Sequence, residues 1–222
     1  MRAAGRELID DPVESLRDLE KNLLDIELAN RWLGGTEPVR RAVLHFMPRT
    51  LLDVGSGSAD IPRALLADAR KRNADLTITC VDLSDQMLKI ARDRSAGVAD
   101  LRFERADGTA LPYENGAFDM VTCNLALHHF DPAPAISLMR EMRRVARATP
   151  WICDLRRTVH GFLGAWLWTH LTGRHWLTRH DAPLSVRRAY TPREACELAR
   201  HAGWRNPRVQ RLPFSRMALY DA

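Results

Sequence analysis

Four polar residues, Asp53, Asp82, Asp107 and Asn124, lie in or at the end of successive short apolar runs, and a pair of imidazoles, His128-His129, follows the last. An acid at the carboxyl end of a strand can accept hydrogen bonds from both hydroxyls of a ribose, which is the service expected of Asp82. Asp107 is a second such acid, placed where it could accept from an exocyclic adenine amine. Upstream, Gly55-Ser56-Gly57-Ser58 is a glycine turn in which a ligand can approach bare backbone N–H groups at a helix N-terminus. A turn of this kind also joins ordinary strands to ordinary helices, so the residues downstream of it decide. The histidines could take a proton from a reacting hydroxyl or serve as hydrogen-bonded loop residues, and adjacent side chains of an extended segment point to opposite faces, so one at most is the base. His160, His170, His175 and His180 are further candidates that the sequence does not rank.

These residues need elements to position them. Thr50–Leu66 reads as strand, turn and helix: Leu51, Leu52 and Val54 form the apolar run, and Ile61, Leu65 and Leu66 recur at helical spacing after Pro62. Leu76–Val81 is a β-branched run ending at Asp82, and Ser84-Asp85 caps a helix pattern through Met87, Leu88, Ile90 and Ala91. Strand, crossover helix and strand make a βαβ unit with parallel strands, and ligands of such sheets bind at the strands' carboxyl ends. Leu101–Arg105 and Phe118–Asn124 are a third and a fourth strand, and three strands in succession deliver polar residues to one edge.

A nicotinamide dinucleotide site would want a third glycine where Asp60 stands, and a carboxylate there repels a pyrophosphate. A nucleoside ligand without phosphate meets no such obstacle.

The series Asp53-Val54-Gly55-Ser56-Gly57, Asp82, Asp107-Gly108, Phe118-Asp119 and Asn124-Leu125-Ala126-Leu127-His128-His129-Phe130 resembles the class I S-adenosylmethionine-dependent methyltransferases. It resembles most the small-molecule branch that includes the ubiquinone and menaquinone biosynthesis methyltransferases, and Asn30-Arg31-Trp32-Leu33 is similar to the Asn-Arg element preceding the core there. The resemblance covers roughly residues 28 to 156. It implies a Rossmann-like α/β three-layer sandwich with a mostly parallel seven-stranded sheet, and S-adenosyl-L-methionine as cofactor. It places Asp53, Gly55 and Gly57 under the methionine part, Asp82 on the ribose, Asp107 and Gly108 by the adenine, Leu83 and Met87 flanking the base, and Asn124 at the amino acid end. The nucleic acid amine methyltransferases carry Asn/Asp-Pro-Pro-Tyr/Phe after the fourth strand, and Asn124-Leu125-Ala126-Leu127 departs from that. The Pro-Gly-Gly turn common before the fifth strand is replaced by Ala148-Thr149-Pro150, which leaves the geometry of that turn open.

Around this core, residues 12 to 33 read as a helix opened by Pro12 and stopped by Gly34-Gly35, an arm that either covers the site or packs on the sheet. Pro132–Ala146 is a helix and Trp151–Leu155 a fifth strand. Residues 160 to 190 place Leu163, Trp166, Leu167, His170 and Leu171 on one helical face, with Trp168 and Trp176 off it. A hydrophobic lid over an aromatic acceptor is the favoured account, with Asn30, Arg31, Trp166 and His170 as its substrate-facing residues; plain packing and peripheral membrane contact are the alternatives. A helix over Pro192–Gly203 and runs at 208–212 and 214–219 complete the sheet with an antiparallel strand pair. The expected organisation is one domain over 1–222, comprising an arm (1–45), a cofactor-binding core (48–156), a helical cap (157–190) and a C-terminal helix and strand pair (191–222).

At 222 residues, 45% hydrophobic and 27% charged, the composition is that of a globular protein with a sizeable core. No run reaches the roughly 20 apolar residues of a membrane span, and the charged N-terminus does not read as a secretory leader, which points to the cytoplasm. The four cysteines are far apart in apolar segments and fit buried reduced thiols, and no metal site is read from the sequence. The net charge of +5 comes from Arg scattered over helices, as on a solvated surface, and nucleic acid is the less favoured partner. The expected protein, a monomer or homodimer, methylates an oxygen or activated carbon of a small aromatic, polyketide- or quinone-like acceptor of secondary metabolism. A catalytically silent S-adenosylmethionine-binding protein and an RNA-directed methyltransferase stay open as alternatives.

Overall fold

The computed structural model describes residues 2–172 and 174–222; Met1 and Gly173, which fall in the arm and the cap of the sequence reading, lie outside the described residues. The sheet is built on β1 (Thr50–Val54), β2 (Thr77–Asp82), β3 (Leu101–Arg105), β4 (Met120–Asn124), β5 (Pro150–Leu155), β6 (Pro207–Leu212) and β7 (Arg216–Asp221), in the spatial order β3-β2-β1-β4-β5-β7-β6. The first five strands pair in parallel and the β6–β7 hairpin adds antiparallel to β5, as the sequence led us to expect.

Central parallel strands are covered on both faces and so read as continuous apolar runs. β1 and β4 show this, with every residue of β4 and all but Thr50 of β1 buried. Alternation then divides the core. Leu52, Val54, Val121 and Ile152 face one layer with Leu138, Met139 and Met142, while Leu51, Ile78, Cys80 and Met120 face the other with Val39, Leu65 and Leu66.

Helices α1 (Leu16–Trp32), α2 (Glu37–Phe46), α3 (Asp60–Lys71), α4 (Asp85–Arg94), α5 (Pro132–Val145), α6 (Val159–Leu171), α7 (Trp176–Arg188) and α8 (Pro192–His201) complete the chain. The arm helix begins at Leu16, not at Pro12, because the Ser15 hydroxyl accepts from Asp18 N–H and caps it there. α3 likewise starts two residues before Pro62, after Ala59 in the left-handed region at φ 56°. Ser84 caps α4 by accepting from Met87 N–H, as expected.

The segment 160–190 is two helices rather than one, and α7 packs against α1 and the 3₁₀ turn Leu8–Asp10. At the turn before β5, Thr149 donates its hydroxyl to Asp221 O at 2.7 Å and thereby ties the turn to β7. Among the described residues no helix is long and apolar enough to cross a membrane.

Candidate active site

The glycine turn is fastened from three sides. Gly55 N–H and Ser56 N–H donate to Val81 O at 2.9 and 3.1 Å, and Ser56 Oγ donates back to Asp53 O at 2.7 Å. Gly57 N–H donates to Asp82 Oδ2 at 2.9 Å, while Asp82 Oδ1 accepts from Ser84 N–H at 2.9 Å. Each carboxylate oxygen of Asp82 keeps a lone pair for a ligand after these bonds. Burial raises its pKa against the opposing pull of the Ser84 and Gly57 N–H groups.

Asp53 is buried beneath the turn, where its Oδ1 accepts from Thr122 Oγ1 and Asn124 Nδ2, both at 2.8 Å. Burial pushes its carboxyl up to about 6, with the Thr122 and Asn124 hydrogen bonds acting the other way. Asn124 is thus held by its amide nitrogen, and its Oδ1, also buried, has no partner. A buried acceptor of this kind costs about 1–3 kcal/mol until something donates to it. Asp107 is exposed at the next strand end, its Oδ1 occupied by Thr109 N–H and Oγ1 at 2.8 and 2.7 Å. Gly108 beside it is pressed on Val54 and Leu138, where a Cβ would stand 2.7 Å from Val54 Cγ1.

A second polar group lies past β4. Leu125 takes a left-handed backbone at φ 53°, a conformation that non-glycine residues hold at a cost and that recurs at functional sites. It turns the chain into the 3₁₀ segment Leu127–His129. His128 is buried: its Nδ1 donates to Asp154 Oδ1 at 2.6 Å, and Asp154 Oδ2 accepts from the His128 N–H at 2.9 Å. Although burial works against the charged form, the Asp154 and Glu7 carboxylates raise the His128 pKa to about 9. His129 donates from Nδ1 to Asp10 Oδ1 at 2.5 Å. Glu7, also buried, brings its carboxylate between the two Nε2 atoms, at 3.7 Å from that of His128 and 3.9 Å from that of His129.

One cavity of about 700 Å³ joins the two groups. Of the residues singled out from the sequence, it is lined by Asn30, Asp53, Gly55, Gly57, Asp82, Leu83, Met87, Asp107, Gly108, Asn124, His128 and His129. Arg31, Trp166 and His170 are not among its walls. Arg31 is exposed and lies over the Trp32 ring at 5.6 Å. Trp166 and His170 stack on each other at 4.6 Å on the outer side of α6. The wall that α6 supplies is Trp168, whose ring carries the Arg174 guanidinium at 4.9 Å.

The apolar stripe expected to face inward is therefore exposed, since α6 is apolar on every side and its spacing does not single out a face. His175 and His180 pair with Asp18 and Asp181, and neither they nor His160 line the cavity. Asn30 reaches the site through Asp60, donating from Nδ2 to Oδ2 at 2.9 Å.

Sequence reasoning missed Glu7, Asp10, Asn22, Asp181 and Arg216, which come to the cavity from the arm, α7 and β7. None sits in a periodic pattern. Asp181 was the most legible of them, as an acid in the segment already read as a cap.

Residues 51–149 of the 222 match the family model described as a methyltransferase domain. The strand order, with a β6–β7 hairpin beside β5, accompanies the same glycine turn and strand-end acids. This is the class I methyltransferase fold. The cofactor of class I methyltransferases is S-adenosylmethionine. A SAM-dependent methyltransferase from Aquifex aeolicus superposes with a TM-score of 0.66 at 17% identity, over 94% of this chain and 98% of its own. The S-adenosylmethionine-dependent methyltransferase SibL superposes at 0.60 with 20% identity, over 86% of this chain and 55% of its own. Identities this low speak for the fold alone.

Among curated relatives, the malonyl-acyl-carrier-protein O-methyltransferase of Halorhodospira halophila is 35% identical over 150 residues, 66% of this chain and 47% of that protein. The demethylmenaquinone methyltransferase of Deinococcus radiodurans is 32% identical over 114 residues, 51% of this chain and 44% of that protein. The chain thus spans about half the length of the curated methyltransferases it matches.

Proposed function

We propose that this protein is an S-adenosylmethionine-dependent methyltransferase acting on an oxygen, or an activated carbon, of a small aromatic, polyketide- or quinone-like acceptor. The observation that carries the reading is the row of free acceptors along one cavity wall: Asn124 Oδ1 with no partner, Asp82 with a spare lone pair on each oxygen, and Asp107 Oδ2. In that order they suit the ammonium, ribose hydroxyls and adenine amine of one adenosyl amino acid. The buried Asp53 adds a charge complementary to the ammonium and sulfonium. Gly57, whose missing Cβ would meet no protein atom within 4 Å, leaves room for the methionine chain.

S-adenosylmethionine, when bound, supplies an electrophilic methyl group on sulfur. Transfer of that methyl group to an acceptor would release S-adenosylhomocysteine and a proton, which the chain would have to pass to a base or to solvent. What this chain contributes is position and exclusion of water, effects worth about 7–11 kcal/mol in well-oriented reactions. Beyond the adenosyl wall, Ile9, Leu23, Ile26, Phe130 and Trp168 offer apolar surface to a flat acceptor. Asn22, buried with Nδ2 donating to Thr178 Oγ1 at 3.0 Å and Oδ1 unpartnered, can accept from a hydroxyl on it. Of the curated relatives' names, a malonyl-acyl-carrier-protein O-methyltransferase supports an oxygen as the methylated atom and a demethylmenaquinone methyltransferase supports a quinone-like acceptor.

We read the chain as a single domain of arm, core, cap and C-terminal strand pair. Calorimetry with S-adenosylmethionine, followed by turnover of methyl-labelled donor against a library of phenols and quinols, tests the reading. Saturable binding with labelled product supports it, and binding without product from any acceptor, or no binding at all, sinks it.

A further inference from the structure

Glu7, His128 and His129 offer one ligand atom each, a carboxylate oxygen and two ring nitrogens, that all lie within 4.8 Å of one another beside the cavity. From this geometry we propose that they form a two-histidine, one-carboxylate site for a first-row divalent transition cation, whose open positions face the acceptor end of the cavity. The proposal rests on the methyltransferase reading only for its use, since the donor set is defined without it.

Both imidazoles are oriented as a metal requires. His128 Nδ1–H is spent on Asp154 at 2.6 Å and His129 Nδ1–H on Asp10 at 2.5 Å, which leaves Nε2 of each ring as the ligating atom, and the cation displaces any proton held there. A carboxylate behind each ligating imidazole is the usual outer support of a metal site, fixing ring orientation and raising basicity.

Glu7 supplies the independent pointer to a ligand. It is 2% exposed, its Oε2 accepts from Ser185 Oγ at 2.6 Å, and its Oε1 has no hydrogen-bond partner although it lines the cavity. Oε1 stands 3.7 Å from His128 Nε2 and Oε2 stands 3.9 Å from His129 Nε2, too long for hydrogen bonds and within roughly 0.5 Å of the edge of a coordination tetrahedron with bonds of about 2.0–2.1 Å. A small closing rotation of Glu7 and His129 completes it.

Charge and anchoring agree. The three carboxylates Glu7, Asp10 and Asp154 surround the imidazoles, and Arg188, with Nε 3.7 Å from Glu7 Oε1, is the guanidinium paired with them among the described residues. With neutral imidazoles that sum is about −2, the charge a divalent cation cancels. Glu7 is also held in place: Asp181 accepts from Leu8 N–H and Ile9 N–H at 3.0 and 3.1 Å, so α7 grips the turn that carries it. Two imidazoles and a carboxylate suit Fe²⁺, Co²⁺, Mn²⁺ or Zn²⁺ over Mg²⁺, which favours oxygen alone.

The substrate class narrows accordingly, to acceptors with an ionisable hydroxyl, such as a phenol or enol, that can bind the cation through oxygen. The hydroxyl gives its proton to solvent on binding, and the resulting oxyanion attacks the methyl carbon as the carbon–sulfur bond breaks.

Co²⁺ titration of the chelator-treated full chain, followed by its visible d–d absorption, tests the site without need of activity. One ion per chain, with the intense bands of four- or five-coordinate cobalt carrying nitrogen ligands, is expected. Glu7→Gln and His129→Gln should each weaken binding at least tenfold, with circular dichroism confirming that both variants fold, and Glu7→Asp should recover part of the loss. Asp107→Ala, which strikes the adenosyl wall, should leave the cobalt titration unchanged. Wild type and both variants titrating alike, or Mg²⁺ displacing Co²⁺ at equal concentration, would overturn the proposal even if S-adenosylmethionine binds and turns over. A cobalt site on a chain that binds no S-adenosylmethionine would uphold the cation site while removing the methyltransferase reading.

Discussion

Gly57 donates its backbone N–H to Asp82 Oδ2 at 2.9 Å, so the acid at the end of β2 fixes the turn that follows β1 as well as facing the cavity. Its loss therefore removes two things, the free lone pairs for the ribose and the anchor of the turn. Hydrogen bonds to a charged group contribute about 1.5–3 kcal/mol each. Asp82→Ala should weaken S-adenosylmethionine binding roughly 100-fold, and Asp82→Asn, which keeps one acceptor oxygen, roughly tenfold, since ~1.4 kcal/mol is a factor of ten. Calorimetric dissociation constants that place the two variants together, or near wild type, would count against the ribose role.

Asp53 gives a pH dependence of definite sign. Its carboxyl is raised from 3.8 to about 6 in the folded protein by burial. A raised acid favours the fold while protonated, so this contribution is fully present below the unfolded value and is lost as pH rises through about 6. Binding runs the opposite way. The cationic methionine end prefers the ionised carboxylate, so affinity should climb as pH rises through about 6 and level off about one unit above. Asp53→Asn should flatten both curves, which denaturation midpoints and titration calorimetry across that range would reveal.

Much of this site was legible because it is local. The β1 turn, Asp82 and Asp107 each stand where a short apolar run meets turn-forming residues, and neighbouring residues alone decide that. The acceptor end was not legible for the converse reason. Glu7 reaches His128 only because Asp181 holds the turn beside it, a contact across more than 170 residues between segments without periodicity. In α6 the spacing of Leu163, Trp166 and His170 suggested an inner face, yet Trp168 lines the cavity, because a helix with apolar residues around its whole circumference does not encode which side is covered. Arg31 follows Asn30 in sequence but faces away, as adjacent residues of a helix do not share a face.

The two turn glycines should separate stability from binding. Gly55 has φ +71°, and a Cβ there would stand 2.8 Å from Ala126 Cβ, so Gly55→Ala combines backbone strain with overpacking. Strain of about 1–2 kcal/mol and overpacking of about 1–3 kcal/mol should lower its unfolding free energy by about 2–5 kcal/mol. Gly57 has φ +52° with nothing within 4 Å, which leaves the strain alone, about 1–2 kcal/mol. Its new methyl group would stand in the space assigned to the methionine chain, so Gly57→Ala should lose at least tenfold in affinity while remaining the more stable variant. Equal melting temperatures for the pair, or unchanged binding by Gly57→Ala, would show the turn to be misread.

The exposed face of α6 should tolerate charge where α7 does not tolerate truncation. Leu163 and Leu167 are 56% and 50% exposed, whereas Leu177 in α7 is 1% exposed. Surface changes away from packed groups stay within about 0.5 kcal/mol, and removing most of a buried leucine costs about 2–5 kcal/mol. Leu163→Glu and Leu167→Glu should therefore unfold in urea at the wild-type midpoint, while Leu177→Ala unfolds well before it. The exposed Leu163, Trp166, Leu167 and Leu171 are apolar neighbours of the kind that promote self-association, so the glutamate variants should elute later or more sharply than wild type on size exclusion at high concentration. If Leu163→Glu instead unfolds as early as Leu177→Ala, the face is packed in solution and the orientation of α6 must differ from the one described.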